Sequence, residues 1–427
     1  MKNKTLKIAI ILILFTFFGP IKIFSQVFSI DGELRPRFEF KNGYKKFPDS
    51  TTTPGYVVSQ RTRLSLKYVT KNLTTKITIQ DTRIWGDDPL KTDVAGLFLY
   101  EGWAELGLCK NLSIKIGRQE INYDNERLLS KINWNIKGMT HDAAVIKFKT
   151  DTWNIDLGSA YNQTTDANNF GTDYSGGAGN YKTLNYLWIS KSIKDFGFSA
   201  LGIADGYQKR ATSNTLYVRG TFGPILTYKT KDINIGLRGF YQMGKDTAGS
   251  TINSHYASAD FSYTFFKKLT TSIGGEYISG NDAKDTLNKD VNCFSTLYGS
   301  GHAFNGNMDF FTDMPKNLKK AGLVDLYLNL NYKFNDKASI RLDYHYFMLQ
   351  NNYAYKNEVI NKNLCSEFDL SGKLNFSKEI ALTLGYSVAL GQKSMGIIVG
   401  GDYKSLANWG WLCLTVTPNF FTSAEKK

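Results

Sequence analysis

The chain has 427 residues, a formal net charge of +14, 42% hydrophobic and 14% aromatic residues, and 38 glycines against 8 prolines. That many aromatic side chains exclude a disordered chain, and the lack of a Gly-X-Y period excludes collagen. Beyond the first 20 residues no apolar run approaches the roughly 18–20 residues of a spanning helix, so the one membrane architecture left open is a β-barrel, whose alternating strands are compatible with a mean hydropathy of −0.30.

The N-terminus comes first. Lys2, Lys4 and Lys7 form a positive region, and Ile8 to Phe18 form an apolar core broken only by Thr16. Ser25 before Gln26 is the expected cleavage point. This predicts a secretory signal peptide over residues 1–25, because the apolar core of about 11 residues is too short for an anchor. No cysteine stands at the junction, which argues against a lipoprotein. The domain that remains, 26–427, carries a net charge of +10 once the four leader lysines are gone.

From there the dominant signal is alternation with period two. In the first segment Phe28, Ile30, Leu34, Phe38 and Phe40 take one parity, while Asp31, Glu33, Arg35, Arg37 and Glu39 take the other. Successive Cβ atoms of a strand point to opposite faces, so one face is apolar and the other charged. The same reading recurs over 27–40, 57–70, 73–84, 97–107, 112–120, 142–149, 152–162, 183–191, 196–206, 215–229, 232–243, 254–266, 269–279, 323–335, 338–350, 364–376, 379–391 and 408–420. Many of these exceed the about 5–6 residues of globular strands and match a tilted membrane strand. The predicted fold is all-β: one transmembrane antiparallel β-barrel of about 18 strands with inward-folded loops, closed so that no edge is left. A soluble β-sandwich would also alternate, but with shorter strands and more prolines.

Connections alternate between short and long. Lys71-Asn72, Lys267-Lys268 and Asn335-Asp336-Lys337 are tight turns, expected on the periplasmic side; 41–56, 85–96, 163–182, 280–322 and 351–363 are long and expected outside. The segment 121–141, with Leu128, Leu129, Ile132, Trp134 and Ile136, is too apolar for a free loop and is predicted to fold back towards the pore. Trp409, Trp411, Tyr386 and Tyr403 are expected in interfacial aromatic girdles.

Charged side chains facing lipid would cost about 2–4 kcal/mol at the midplane, so the charged parity is assigned to the lumen. It carries Arg35, Arg37, Arg61, Arg63, Lys67, Lys76, Lys115, Lys147, Arg219, Arg238 and Arg341. Such residues would concentrate anions, with planar guanidinium groups suited to carboxylates. The same parity holds Asp31, Glu33, Glu39, Glu101, Glu105, Asp156, Asp260, Glu276, Asp325, Asp343, Glu367 and Asp369, so many of the cations are equally readable as wall ion pairs. Arg118 shares the parity of Ile114 and Ile116; either a bulge reverses the frame there or it lies above the membrane.

Other chemistries find little support. Cys109, Cys293, Cys365 and Cys413 are scattered without metal-ligand spacing, and are read as small hydrophobes or at most one disulfide. No metal and no cofactor are expected. His141 and His302 have acidic neighbours but no G-x-S-x-G-type nucleophile, so no enzyme is expected. The run Ser175 to Gly179 reads as a loop tip, because no helix pattern follows. A leader and strand-embedded arginines argue against nucleic acid as a partner.

Three blocks carry a resemblance. The first is Gly117-Arg118-Gln119-Glu120, then Tyr123-Asp124-Asn125-Glu126-Arg127-Leu128-Leu129, Trp134 and His141-Asp142. The second runs from Tyr298 to Phe311 and includes His302, Gly306 and Asp309; the third is Gly322-Leu323-Val324-Asp325. In these the sequence resembles the alginate-export porin family of outer-membrane barrels. The resemblance implies an 18-stranded monomeric barrel in the bacterial outer membrane that passes anionic polysaccharide through a basic pore. It alone gives Arg118 and Arg127 a place among the pore-lining, anion-binding residues, and it marks Gly117, Gln119, Asp124, His302, Gly306 and Asp309 as motif positions. The expected partners are outer-membrane lipid and an anionic carbohydrate or small anionic solute. A non-selective porin, or a barrel enzyme or adhesin, are the alternative readings.

Overall fold

The computed structural model describes residues 26–87, 96–163, 180–209 and 215–423. The predicted leader and the run 175–179 lie outside the described residues. The strands are β1 (Val27–Asn42), β2 (Gly55–Val69), β3 (Leu73–Ile84), β4 (Phe98–Cys109), β5 (Leu112–Gln119), β6 (His141–Lys149), β7 (Trp153–Tyr161), β8 (Thr183–Ile193), β9 (Phe196–Gln208) and β10 (Leu216–Lys229). They continue as β11 (Ile233–Lys245), β12 (Thr251–Phe265), β13 (Leu269–Ile278), β14 (Leu323–Lys333), β15 (Ala338–Leu349), a small hairpin of β16 (Ala354–Tyr355) and β17 (Glu358–Val359), then β18 (Asn363–Asn375), β19 (Ile380–Gly391), β20 (Ala407–Val416) and β21 (Asn419–Thr422). Two short helices interrupt the connections, α1 (Met314–Asn317) and α2 (Lys393–Ile398). No helix among the described residues is long and apolar enough to cross a membrane.

Apart from the hairpin, each strand from β1 to β20 pairs antiparallel with the next, and β1 closes the ring onto β20 and β21. The result is an 18-stranded barrel whose last strand is broken into two segments. The break falls at Thr417-Pro418, inside a stretch that alternation alone reads as continuous. Proline supplies no N–H to a ladder. Its carbonyl instead accepts from Gly32 N at 2.9 Å across the seam.

The alternation sorts the two faces as expected. On β14, Leu326 and Leu328 are exposed on the outer face while the neighbouring Asp325 is 1% exposed. On β1, Leu34 and Phe38 face out, and Arg35 and Arg37 are buried inside. Exposed leucine, isoleucine and phenylalanine rows wrap the cylinder, which suits hydrocarbon as the outer solvent.

The interior is only partly wet. The segment between β5 and β6 folds inward as predicted; the segment between β13 and β14, expected outside, packs inward beside it. They join through a parallel bridge between Leu129 and Tyr298, and Tyr298 N donates to Leu128 O at 3.0 Å. Leu128, Leu129, Phe294, Met308, Phe310, Phe311 and Leu318 are at most 2% exposed. Phe47, from the connection after β1, stacks on Phe310 at 5.4 Å, and Phe311 meets Phe347 of β15 at 4.9 Å. Each such side chain contributes about 1.5–3 kcal/mol by burial, so the two segments form a packed plug. All four cysteines are free, three of them buried. Trp409 and Trp411 do not belong to a girdle. Trp409 is fully buried and contacts Tyr44 at 5.2 Å, and Trp411 packs edge-on against Trp134 of the plug.

Candidate pore constriction

The charged face of β1 and β2 builds a ladder of four arginines. Register sets Arg35 directly across from Arg61, and Glu33 across from Arg63. Two like charges side by side are unfavourable, so each needs acceptors. Glu33 supplies one: Arg61 Nε donates to its Oε1 at 2.6 Å. The plug supplies three more. Arg35 Nη2 donates to Asn133 O at 2.7 Å, Arg37 Nη1 to Trp134 O at 2.8 Å, and Arg61 Nη2 to Asn133 Oδ1 at 2.8 Å. Arg63 Nε donates to Gln80 Oε1 at 2.6 Å, and its guanidinium lies 3.6 Å from the Tyr100 ring centre. Gln80 in turn donates to Lys137 O at 3.0 Å.

Beyond the ladder a stack runs from the wall into the plug. The Arg37 guanidinium lies 4.1 Å from the Trp134 ring centre, and the His302 ring stacks 4.2 Å from Trp134. His302 Nδ1 is 2.7 Å from Asp309 Oδ1, and the Tyr44 hydroxyl donates to Asp309 Oδ2. A cavity of about 480 Å³ opens beside this stack, lined by Arg37, Lys41, Tyr44, Trp134, His302 and Asp309 among others. A second, of about 790 Å³ and lined by His141, Tyr207, Arg219 and Tyr298, lies among the plug segments and the long connections. A third, of about 620 Å³, reaches from Asp124 and Trp188 to Arg238.

A second sector of wall, β13 to β18, has the opposite sign. Its inward row contains Glu276, Asp325, Asp343, Glu367 and Asp369, all buried. Plug donors cover it. Met308 N donates to Glu367 Oε1 at 2.7 Å and Asn307 N to Asp369 Oδ2 at 3.3 Å. Asn305 Nδ2 donates to Glu276 at 2.9 Å and to Asp325 at 3.0 Å. His345 Nδ1 sits 3.0 Å from Asp325 Oδ1.

The sequence-predicted residues therefore divide. Arg35, Arg37, Arg61 and Arg63 come together as one ladder. Lys67, further along β2, is exposed and lies across from Lys76. Arg219 is bound by Asp205 at 2.5 Å, Arg238 by Asp260, and Arg341 by Asp343 at 2.7 Å. Lys76 pairs with Glu101 and Lys147 with Glu105. Two placements are corrected. Arg127 lines no pore: its side chain is 1% exposed, and Nη2 donates to Glu276 at 2.6 Å and to Asn305 at 2.8 Å, which makes it a strut within the plug. Arg118 faces outward. The register with β6 is unbroken from Leu112 to Gln119, so no bulge reverses the frame; Arg118 pairs bidentately with Asp142 near the loop end of the strands, where both are half-exposed.

The motif positions are mostly geometric. Gly117 has φ 124°, and a Cβ there would lie 2.2 Å from Gly102 O. Gln119 is buried and donates to Ala143 O at 3.0 Å. Asp124, at φ 54°, accepts from Trp188 Nε1 at 3.1 Å, and burial pushes its carboxyl above the usual range. Gly306, at φ 79°, lets the plug lie on the Glu367 carboxylate, 2.4 Å from where a Cβ would stand. Sequence reasoning missed Asn133 and Tyr44. Neither bears a pattern signal, because each acts only through partners far along the chain.

A family model described as alginate export matches residues 27–391. None of the curated proteins matches the chain. Among solved structures, Pseudomonas aeruginosa OpdK with vanillate is 12% identical, covering 93% of this chain and 99% of its own, with a TM-score of 0.60. Acinetobacter baumannii OccAB4 is 12% identical over 94% of this chain and 100% of its own, TM-score 0.60. Pseudomonas aeruginosa OccD3 (OpdP) is 11% identical over 92% of this chain and 92% of its own, TM-score 0.60. At these identities the likeness is one of fold.

Proposed function

The chain belongs to the alginate-export family and forms a channel in the bacterial outer membrane, and from that premise we propose that it carries small anionic solutes by passive diffusion. The observation that carries this reading is the ladder of Arg35, Arg37, Arg61 and Arg63, of which Arg37 lines the 480 Å³ cavity. Four guanidinium groups in a confined, low-dielectric passage favour anions over cations, and their planar donors suit carboxylates. The solute class we infer is carboxylate-bearing carbohydrate, uronates in particular. The plug favours single units or short oligomers over a threading polymer, because two packed segments occupy the passage. OpdK, solved with vanillate, is a barrel of like fold with a carboxylate ligand. Residues 1–25 act as the export signal in this reading, and the barrel works as a monomer without cofactor.

The test is the reversal potential of the purified barrel in a planar bilayer under a potassium chloride gradient. A preference for chloride is expected, and a preference for potassium overturns the reading. One observation favours the alternative of a non-selective porin: Arg61, Arg219, Arg238, Arg341, Lys76 and Lys147 are each paired with an acid. Equal permeability to both ions would select that alternative.

A further inference from the structure

The outer face carries one feature that diffusion through the lumen does not use. Near the short-turn end of β8 to β11 two transverse rows of side chains face out. The outermost is Ile193, Phe196, Tyr228 and Ile235, matched strand to strand by register. The next row inward is Lys191, Phe198, Leu226 and Leu237. Together they line a groove of about 320 Å³ that is almost wholly apolar. Phe196 and Tyr228 close one lip, with ring centres 4.8 Å apart.

Lys191 is out of place there. Among the described residues, the outward rows of the strands in their short-turn halves hold no other charged side chain. Its strand neighbours on that face are Ile189 and Ile193, and its ammonium lies 4.5 Å from the ring centre of Trp153 on β7. A lysine at this depth must extend its stem along apolar surface and bring its charge up to the headgroup level. The two turns at the same end add Lys194 and Lys231, against Asp195 and Asp232, so with Lys191 the cations outnumber acids three to two. Short turns of outer-membrane barrels face the periplasm, which places the groove at the inner leaflet, where the lipids are glycerophospholipids.

We propose that this groove is a binding site for one anionic phospholipid of the inner leaflet. An acyl chain lies between Phe198, Leu226 and Leu237, and the phosphate meets Lys191 with the turn lysines around it. The charge complementarity selects the occupant: an apolar groove alone would take any acyl chain, but a cation at its edge rewards a net negative headgroup.

The experiment is native mass spectrometry of the barrel released from detergent with dioleoyl phosphatidylglycerol and dioleoyl phosphatidylcholine in equal amounts. The unaltered barrel should retain phosphatidylglycerol about fivefold better, the effect of roughly one lysine near an anionic headgroup. Lys191→Gln should bring the two lipids level, and Leu226→Trp, which fills the groove, should reduce retention of both. Heat-modifiable migration on a gel reports that each variant is a folded barrel. Equal retention of the two lipids by the unaltered barrel, or undiminished preference in Lys191→Gln, overturns the proposal. Should Lys191→Gln fail to assemble, the competition on the unaltered barrel together with Leu226→Trp still decides it.

Discussion

The basic sector of the wall, β1 to β3, and the acidic sector, β13 to β18, solve the same problem with opposite chemistry. Both are charged rows turned into a closed cylinder, and both are covered by the plug. On the basic side the plug presents acceptors: the carbonyls of Asn133 and Trp134 and the amide oxygen of Asn133 take the guanidinium hydrogens. On the acidic side it presents donors: the main-chain N–H groups of Asn307 and Met308 and the side chains of Asn305 and Arg127 meet the carboxylates. A main chain carries a donor and an acceptor at nearly every residue, so one pair of loops can satisfy walls of either sign. The difference that matters for permeation is what lies beside each row. Arg37 of the ladder lines the 480 Å³ cavity, whereas Glu367 and Asp369 lie beneath the plug.

The largest test of this contrast removes a strut. Arg127→Met leaves Glu276 buried without its cation, a loss of about 3–5 kcal/mol. The acidic side of the plug should detach, seen as higher and noisier single-channel conductance with the barrel still heat-modifiable. Next comes Gly306→Ala, which places a Cβ against the Glu367 carboxylate at a left-handed backbone position. About 1–3 kcal/mol of strain is expected, read as a lower melting temperature and increased proteolysis between β13 and β14. The double variant Arg61→Ser with Arg63→Ser should move the reversal potential towards cations and leave the acidic side of the plug intact. No change in selectivity would make these two arginines anchors of the plug and nothing more. The smallest effect belongs to Arg118→Ala. An exposed rim pair contributes at most about 1 kcal/mol, so conductance and selectivity should match those of the unaltered barrel.

Much of the wall is legible in the sequence because a strand's two faces are written in adjacent residues. The eighteen alternating segments correspond one to one with the barrel strands, the last divided at Pro418. Where the reading stops, the cause is distance along the chain. Arg127 meets Glu276, 149 positions away, and Arg35 meets Asn133, 98 positions away. Parity places Arg35 in the lumen but says nothing about a carbonyl arriving from elsewhere. Trp409 shows the same limit: an aromatic near a strand end fits a girdle or a core equally, and only packing against Tyr44 and Trp134 distinguishes them.

The sequence by itself determined the cylinder, its apolar outside and its charged lining, since each follows from alternation and from the cost of placing charge in hydrocarbon. The tertiary structure decided which of those charges border open space. That depends on two loops folding inward to meet walls of opposite sign, through contacts that no local pattern encodes.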